Sequence, residues 1–260
     1  MSMPIWPRRC AAGFLLACLS LVACADERSK AEIHVAVASN FTPALARLAE
    51  RFEELHPIDV VLVSGSTGKL YAQIKNGAPY DLYLAADEAR PLALEQEGDA
   101  LPGSRFTYAM GKLVLWSPTE GLVQPDGDPI LPPDCEHVAI ANPKLAPYGR
   151  AAQEVLEARG LWQSISNRFV RGENVGQAFQ FVDSGNAELG FVAFAQLKRP
   201  DKEIAGSYWL VPQQWYTPIA QQAVLLTDNA DAALFVNFLR SDSARSVLDG
   251  FGYEVPERKS

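Results

Sequence analysis

Short apolar runs alternate with amphipathic segments through the first third of the chain. The runs at 33–38, 60–63 and 81–85 are mostly apolar, as expected for buried strands. Between them, the segments 44–55 and 69–75 carry apolar residues three and four positions apart, which is the spacing of one helix face. This order of strands and helices predicts a parallel sheet with helices on its faces.

A second series of the same kind lies further along the chain. Apolar runs at 138–141 and 189–192 predict two strands, and helices are expected after 147–149 and after 173–175. These elements again alternate, so they predict a second sheet with its own helices.

Two long β-rich stretches, 106–116 and 209–226, join the two series, and a final helix is expected over 230–248. The stretches predict that the chain passes from one lobe to the other and returns. We therefore predict an α/β protein with two lobes, each a mostly parallel sheet flanked by helices, between which the chain crosses twice. The predicted limits are 31–109 plus 216–260 for lobe 1 and 110–215 for lobe 2.

The first 25 residues are predicted to be a secretory signal rather than part of the folded body. Arg8 and Arg9 precede an uncharged stretch over 10–22, and the small residues 23–25 follow. Two processing routes fit equally: ordinary cleavage before Asp26, or a lipoprotein signal that leaves an acylated Cys24 as the first residue. Either route predicts an exported, periplasmic protein, anchored by lipid only in the second case.

Composition narrows the class of partner. The 260 residues are 48% hydrophobic, which excludes a disordered chain, and the formal net charge is −8. An acidic chain is a poor candidate for binding nucleic acid, and by the same reasoning it looks unsuited to small anions. Of the four cysteines, only Cys135 lies well inside the mature chain, so no internal disulfide is expected.

Four predicted loops follow strands and precede helices, where open parallel sheets bind their ligands. Each helix start offers N–H groups without an internal partner and a partial positive charge. The loop side chains are mainly hydroxyls and amides, so the loops together could form an oxyanion site that lacks Lys and Arg. Taken singly, each loop is better explained by helix capping, and only the joint placement of the four favours a binding site. The loops are Ser39-Asn40, Ser66-Thr67, Pro147-Tyr148-Gly149 and Asn174-Val175.

Signals for other functions are weaker. The segment 65–69 is similar to a phosphate loop, but its glycines are too close together and Leu70 replaces the expected Ser or Thr. The three histidines have no metal-ligand spacing, and no serine nucleophile motif is present. The nearby carboxylates Asp81, Asp87 and Glu88 are attributed to a strand start and to helix capping. We therefore do not expect an enzyme.

A set of motifs, in this order and spacing, resembles the periplasmic molybdate-binding proteins of ABC importers over nearly all of 31–256. The motifs are Val37-Ala38-Ser39-Asn40-Phe41-Thr42, Ser64-Gly65-Ser66-Thr67-Gly68, 73–81, Ala85-Ala86-Asp87, 111–116, Asn142-Pro143, Ala146-Pro147-Tyr148-Gly149, 174–178 and 189–193.

The resemblance implies a periplasmic binding protein fold that closes on one tetrahedral dianion, molybdate or tungstate, and delivers it to a membrane permease. It implies no cofactor and no nucleic-acid partner, and we expect a monomer. A receptor for sulfate or another oxyanion is the alternative, followed by an enzyme on the same fold. The ligand-binding residues implied are Ser39, Asn40, Ser66, Thr67, Tyr148 and Val175, the last through its backbone N–H.

Overall fold

The computed structural model describes residues 2, 30–133, 135–200 and 202–256. The predicted signal segment, Ser2 apart, and the last four residues lie outside the described residues. In chain order, the strands and α-helices are β1 Ala31–Ala38, α1 Thr42–Glu53, β2 Ile58–Gly65, α2 Thr67–Lys75, β3 Leu82–Ala85, α3 Ala89–Glu97, β4 Phe106–Gly111, β5 Leu113–Ser117, β6 Val138–Ala141, α4 Pro147–Ala158, β7 Phe169–Gly172, α5 Val175–Asp183, β8 Leu189–Ala193, α6 Phe194–Leu197, β9 Ser207–Leu210, β10 Ile219–Leu225, α7 Ala230–Leu239 and α8 Asp242–Gly250.

Within the described ranges, the strands form two five-stranded sheets, in the orders β2-β1-β3-β10-β4 and β7-β6-β8-β5-β9. The first three strands of each sheet are parallel, and the last two pairings are antiparallel. The two-lobed α/β prediction is confirmed, with sheets that are mixed rather than mostly parallel. The antiparallel pairings arise because β4, β5, β9 and β10 carry the chain between lobes.

Each sheet is covered by hydrophobic side chains on both faces, as the predicted sandwich of helices requires. In lobe 1, one cluster includes Phe52 and Phe235, and the opposite one includes Leu70 and Tyr83. In lobe 2 the two clusters lie beneath α4 and α5. Among the described residues, no helix is both long enough and apolar enough to cross a membrane.

Three boundaries differ from the predictions. The stretch 209–226 is two strands, because β9 ends at Leu210 in the second sheet and β10 begins at Ile219 in the first. The stretch 106–116 is two strands, because β4 ends at Gly111 in the first sheet and β5 begins at Leu113 in the second. The predicted final helix is also two helices: the Ser241 hydroxyl accepts a hydrogen bond from the Ala244 N–H (3.2 Å) and caps α8. The cap starts a second helix, whereas the hydrophobic pattern alone indicates a single continuous helix. The exact lobe limits stay a prediction.

Candidate functional site

The four loops singled out from the sequence meet at one small cavity between the lobes. The six residues Ser39, Asn40, Ser66, Thr67, Tyr148 and Val175 all line it, and Ala146, Pro147 and Asn174 complete its lobe 2 side. The cavity has a volume of about 10 Å³, close to the space that one ordered water needs. The lobes are therefore closed on each other around this point.

Sheet topology explains why segments so distant in sequence converge. β1 and β2 are parallel neighbours, so Ser39 and Ser66 follow strand ends at the same edge of lobe 1. In lobe 2, β6 and β7 are also parallel, and their ends lead to the starts of α4 and α5. Carboxyl ends of parallel strands lie at one edge of a sheet, and the two edges face each other across the cleft.

Three hydroxyls at the cavity are held as hydrogen-bond acceptors by the protein itself. The Ser39 Oγ accepts from the Gly176 N–H (3.1 Å), and the Thr67 Oγ1 accepts from the Ala86 N–H (3.1 Å). The Ser66 Oγ accepts from the Lys69 N–H at 3.4 Å as the cap of α2. A hydroxyl that already accepts a backbone bond still has its own proton to donate. Each of the three can therefore donate to a group in the cavity.

Backbone carbonyls beside the cavity are already occupied. The Gly65 carbonyl accepts from the Ser39 N–H (3.0 Å), and the Thr67 carbonyl accepts from the Tyr83 hydroxyl (2.7 Å). The Asn40 carbonyl accepts from the Tyr253 hydroxyl (3.0 Å). Because these acceptors are engaged, the polar groups left for a ligand are mostly donors. The backbone N–H groups of Thr67, Tyr148 and Val175, in the first turns of α2, α4 and α5, add to them, since a helix start leaves its first N–H groups without a partner within the helix.

Asn40 lines the cavity, but the amide nitrogen of its side chain is hydrogen-bonded to other residues of the protein. Its Nδ2 donates to the Gln221 Oε1 (2.7 Å) and to the Tyr253 hydroxyl (3.1 Å), which uses both hydrogens of the amide. Its side chain is therefore held by lobe 1, and its backbone N–H is the donor that remains for a ligand. Sequence reasoning missed Gln221 and Tyr253, because no local motif connects them with Asn40.

Every described residue that lines the cavity is uncharged. The nearest ion pairs lie at its rim, where Lys69 of α2 bonds Glu173 across the cleft (3.1 Å) and Arg90 pairs with Asp87. Both cations are thus paired with carboxylates. An anion in this cavity would be held by hydrogen-bond donors and helix N-termini rather than by opposite charge.

The carboxylates considered from the sequence have structural partners. Asp81 accepts hydrogen bonds from the His34 N–H (2.9 Å) and from the Thr227 hydroxyl (2.8 Å). Asp87 accepts from the Arg90 N–H (3.2 Å) in the first turn of α3, as its capping prediction requires. Glu88, the residue before α3, makes no capping bond and instead accepts from the Gln222 amide (2.9 Å). The three are therefore spread over separate structural contacts rather than paired as an acid and a base.

Burial raises the pKa of several tyrosines around the site, and Tyr148, Tyr108 and Tyr83 are raised well above the usual value. An unfolded tyrosine loses its proton near pH 10, whereas these folded ones keep theirs. The stability they contribute is fully present below about pH 10, and it falls by about 1.4 kcal/mol per pH unit for each tyrosine above that pH.

We expect chemical denaturation between pH 8 and 11.5 to show this fall in the free energy of unfolding. Tyr148→Phe is the informative variant, because its hydroxyl has no partner among the described residues. It should reduce the slope of unfolding free energy against pH, above pH 10, by about 1.4 kcal/mol per pH unit. Equal slopes for the two proteins would contradict the raised pKa of Tyr148.

Comparison with known proteins agrees with this geometry. Residues 33–254 match the family model of bacterial extracellular solute-binding proteins. The chain is 46% identical to the molybdate-binding protein ModA of Azotobacter vinelandii, over 90% of this chain and 93% of that protein. It is 42% identical to ModA of Rhodobacter capsulatus, over 85% and 88%.

The solved structure of the Azotobacter vinelandii periplasmic molybdate-binding protein superposes with a TM-score of 0.84 at 43% identity. The superposition covers 86% of this chain and all of that one. The family resemblance seen in the sequence motifs is thereby confirmed. This chain belongs to the bacterial extracellular solute-binding proteins and, among them, to the family of the molybdate-binding proteins.

Proposed function

We propose that the protein captures molybdate or tungstate in the cleft between its lobes and delivers it to the permease of an ABC importer. One observation carries the proposal: an uncharged cavity, lined from both lobes, whose carbonyls are engaged and whose hydroxyls keep their protons for a ligand. The names of the two relatives, molybdate-binding protein in each case, support the same ligand.

The donor-rich lining selects for the charge state of the ligand. Molybdate and tungstate are fully deprotonated dianions at neutral pH, so each of their oxygens accepts hydrogen bonds. Hydrogen phosphate carries a proton that would need an acceptor, and the nearby carbonyls are already occupied. A buried donor or acceptor that is left unpaired costs about 1–3 kcal/mol, which disfavours phosphate. Sulfate has no such proton, so cavity size must discriminate against it.

Each lining residue has a definite role in this proposal. Hydroxyls donate from lobe 1, and the starts of α4 and α5 donate backbone N–H groups from lobe 2. A ligand held by both lobes favours the closed arrangement over an open one, with hinge motion about the crossing strands. The proposed contacts are the hydroxyls of Ser39, Ser66 and Thr67 and the backbone N–H groups of Asn40, Tyr148 and Val175.

The remaining features follow from this role. We place the protein in the periplasm, as a monomer without a cofactor or an enzymatic activity of its own, exported by the segment 1–25. In the alternative processing route, the exported protein is attached to the membrane by a lipid on Cys24. The proposed lobe limits stay 31–109 plus 216–260 for lobe 1 and 110–215 for lobe 2, with β4 extending in the first sheet as far as Gly111.

Thermal melting of the mature protein with four anions tests the ligand. Molybdate and tungstate at about 1,000 times their dissociation constants should each add about 4 kcal/mol of stability, whereas phosphate should add none. Sodium chloride at the same ionic strength controls for general salt effects. A shift with sulfate and none with molybdate or tungstate would replace this proposal by a sulfate receptor, and no shift with any anion would remove the anion site.

A further inference from the structure

A buried polar group lies directly behind the cavity and holds Asn40 from three sides. The Gln221 Oε1 accepts from the Asn40 Nδ2 (2.7 Å) and lies 3.2 Å from the Tyr108 hydroxyl, whose single proton it shares with the Ala85 carbonyl (3.1 Å). Tyr253 accepts from the same Nδ2 (3.1 Å) and donates to the Asn40 carbonyl (3.0 Å). Gln221 is completely buried. The loop that presents Asn40 to the ligand is therefore oriented by residues that do not line the cavity.

The other end of the Gln221 amide faces lobe 2. Among the described residues, the Gln221 Nε2 and the Tyr148 hydroxyl are the buried side-chain polar atoms without a hydrogen-bond partner. Both lie within 3.0 Å of the point that a Cβ on Gly111 would occupy. Buried polar atoms nearly always have partners, so two that face the same small space call for an explanation.

Gln221 lies where the two strands that connect the lobes pair with each other. It lies in β10, the strand by which the chain returns to lobe 1, and Gly111 ends β4, the strand by which it leaves. The pairing of β10 with β4 shifts register between Gln221 and Gln222. Such irregularities redirect side chains and are common beside functional sites. Gln221 is thus placed between the Asn40 loop of lobe 1 and Tyr148 of lobe 2, at the crossing.

We propose that Gln221 is a positioning residue for the anion site. Its amide oxygen fixes the Asn40 loop to β10, so the segment of lobe 1 that contacts the anion is held by a crossing strand, while its amide nitrogen lies on the side towards Tyr148 without bonding it. The inference rests on the proposed function, since it concerns the affinity of that same site. Gln221 itself touches no ligand.

The test compares two buried glutamines that are neighbours on one strand. Gln221→Met removes the contacts to Asn40 and Tyr108, and Gln222→Met is the matched control. Gln222 bonds Glu88 (2.9 Å) and Arg105 (2.6 Å), away from the cavity. By isothermal titration calorimetry, Gln221→Met should weaken molybdate binding by roughly 10- to 100-fold, the usual effect of removing an orienting partner. The control should bind molybdate as the wild type does.

The outcomes separate the two proposals. If the wild type binds no molybdate, the proposed function fails, whatever the variants do. If the wild type binds molybdate and Gln221→Met binds it as tightly as Gln222→Met, the positioning role is overturned.

A second variant keeps the test decisive should Gln221→Met fail to fold. Gln221→Glu retains an acceptor oxygen for Asn40, and a buried carboxyl has a raised pKa, so it ionises as the pH rises through the neutral range. Its negative charge directly behind the anion site should then weaken molybdate binding progressively between about pH 5 and 9. Wild type and Gln222→Glu should have flatter profiles. A Gln221→Glu profile that matches that of Gln222→Glu overturns the proposal.

Discussion

Thr67→Val is expected to weaken molybdate binding by roughly 10- to 150-fold while the protein stays folded. Valine has nearly the same shape as threonine, so the change removes only the hydroxyl. That hydroxyl accepts from the Ala86 N–H (3.1 Å) and has its proton free for the ligand. A hydrogen bond to a charged group contributes about 1.5–3 kcal/mol, which sets the range.

Calorimetric titration with molybdate measures this effect, and Thr42→Val provides the control. Thr42 begins α1, and its hydroxyl bonds the Ser64 hydroxyl (2.8 Å) outside the cavity. The control removes the same group from the same lobe and should leave the affinity unchanged. Equal affinities for the two variants would show that Thr67 does not contact the anion.

Gly68→Val should weaken binding without destabilising the unliganded protein to a comparable degree. Gly68 lies in the first turn of α2, and its N–H donates to the Leu145 carbonyl of lobe 2 (2.8 Å). A Cβ at Gly68 would lie 3.0 Å from that carbonyl oxygen and 3.0 Å from a guanidinium nitrogen of Arg90. The contact with Leu145 exists only because the lobes are closed, whereas Arg90 belongs to lobe 1 and meets Gly68 with the end of a long side chain, so a larger residue at 68 opposes closure through Leu145.

The expected size of this effect follows from overpacking, which costs about 1–3 kcal/mol. Affinity for molybdate should therefore fall by roughly 5- to 150-fold. Gly68→Ala should give a smaller loss of affinity together with an unchanged or higher melting temperature, since alanine favours a helix more than glycine does. Ala72→Val, on the exposed side of the same helix, adds bulk away from the cleft and is the control. Equal molybdate affinities for Gly68→Val and Ala72→Val would show that the contact between Gly68 and Leu145 is not needed for closure.

Net charge is a poor guide to the ligand of this protein. A formal charge of −8 looks unsuited to a dianion, yet all the described lining residues of the cavity are uncharged. The rim cations Lys69 and Arg90 are paired with carboxylates. Donors and helix dipoles act over a few ångströms, whereas net charge acts through screened solvent, so the two are independent. Composition argues against nucleic acid, and it misleads about small anions.

Local pattern predicted much of the fold because it reports burial within single elements. Strand β6 at Val138–Ala141 agrees with its apolar run, and α1 and α2 begin within two residues of their expected starts. The proximity of the four ligand loops could be predicted because the carboxyl ends of parallel strands lie at one edge of a sheet. What this pattern could not indicate was the Ser241 cap that divides the final helix, since the apolar spacing continues on both sides.

Two α/β lobes, four loops at their facing edges and a lining of neutral donors follow from local sequence pattern. The orientation of those donors depends on tertiary contacts. Asn40 is held by Gln221 and Tyr253, which lie 181 and 213 residues further along the chain, and Gly68 meets Leu145 only where the lobes touch. Hydrophobic periodicity records which face of an element is buried. Which polar atoms then meet depends on the packing of distant elements, and no local spacing encodes it.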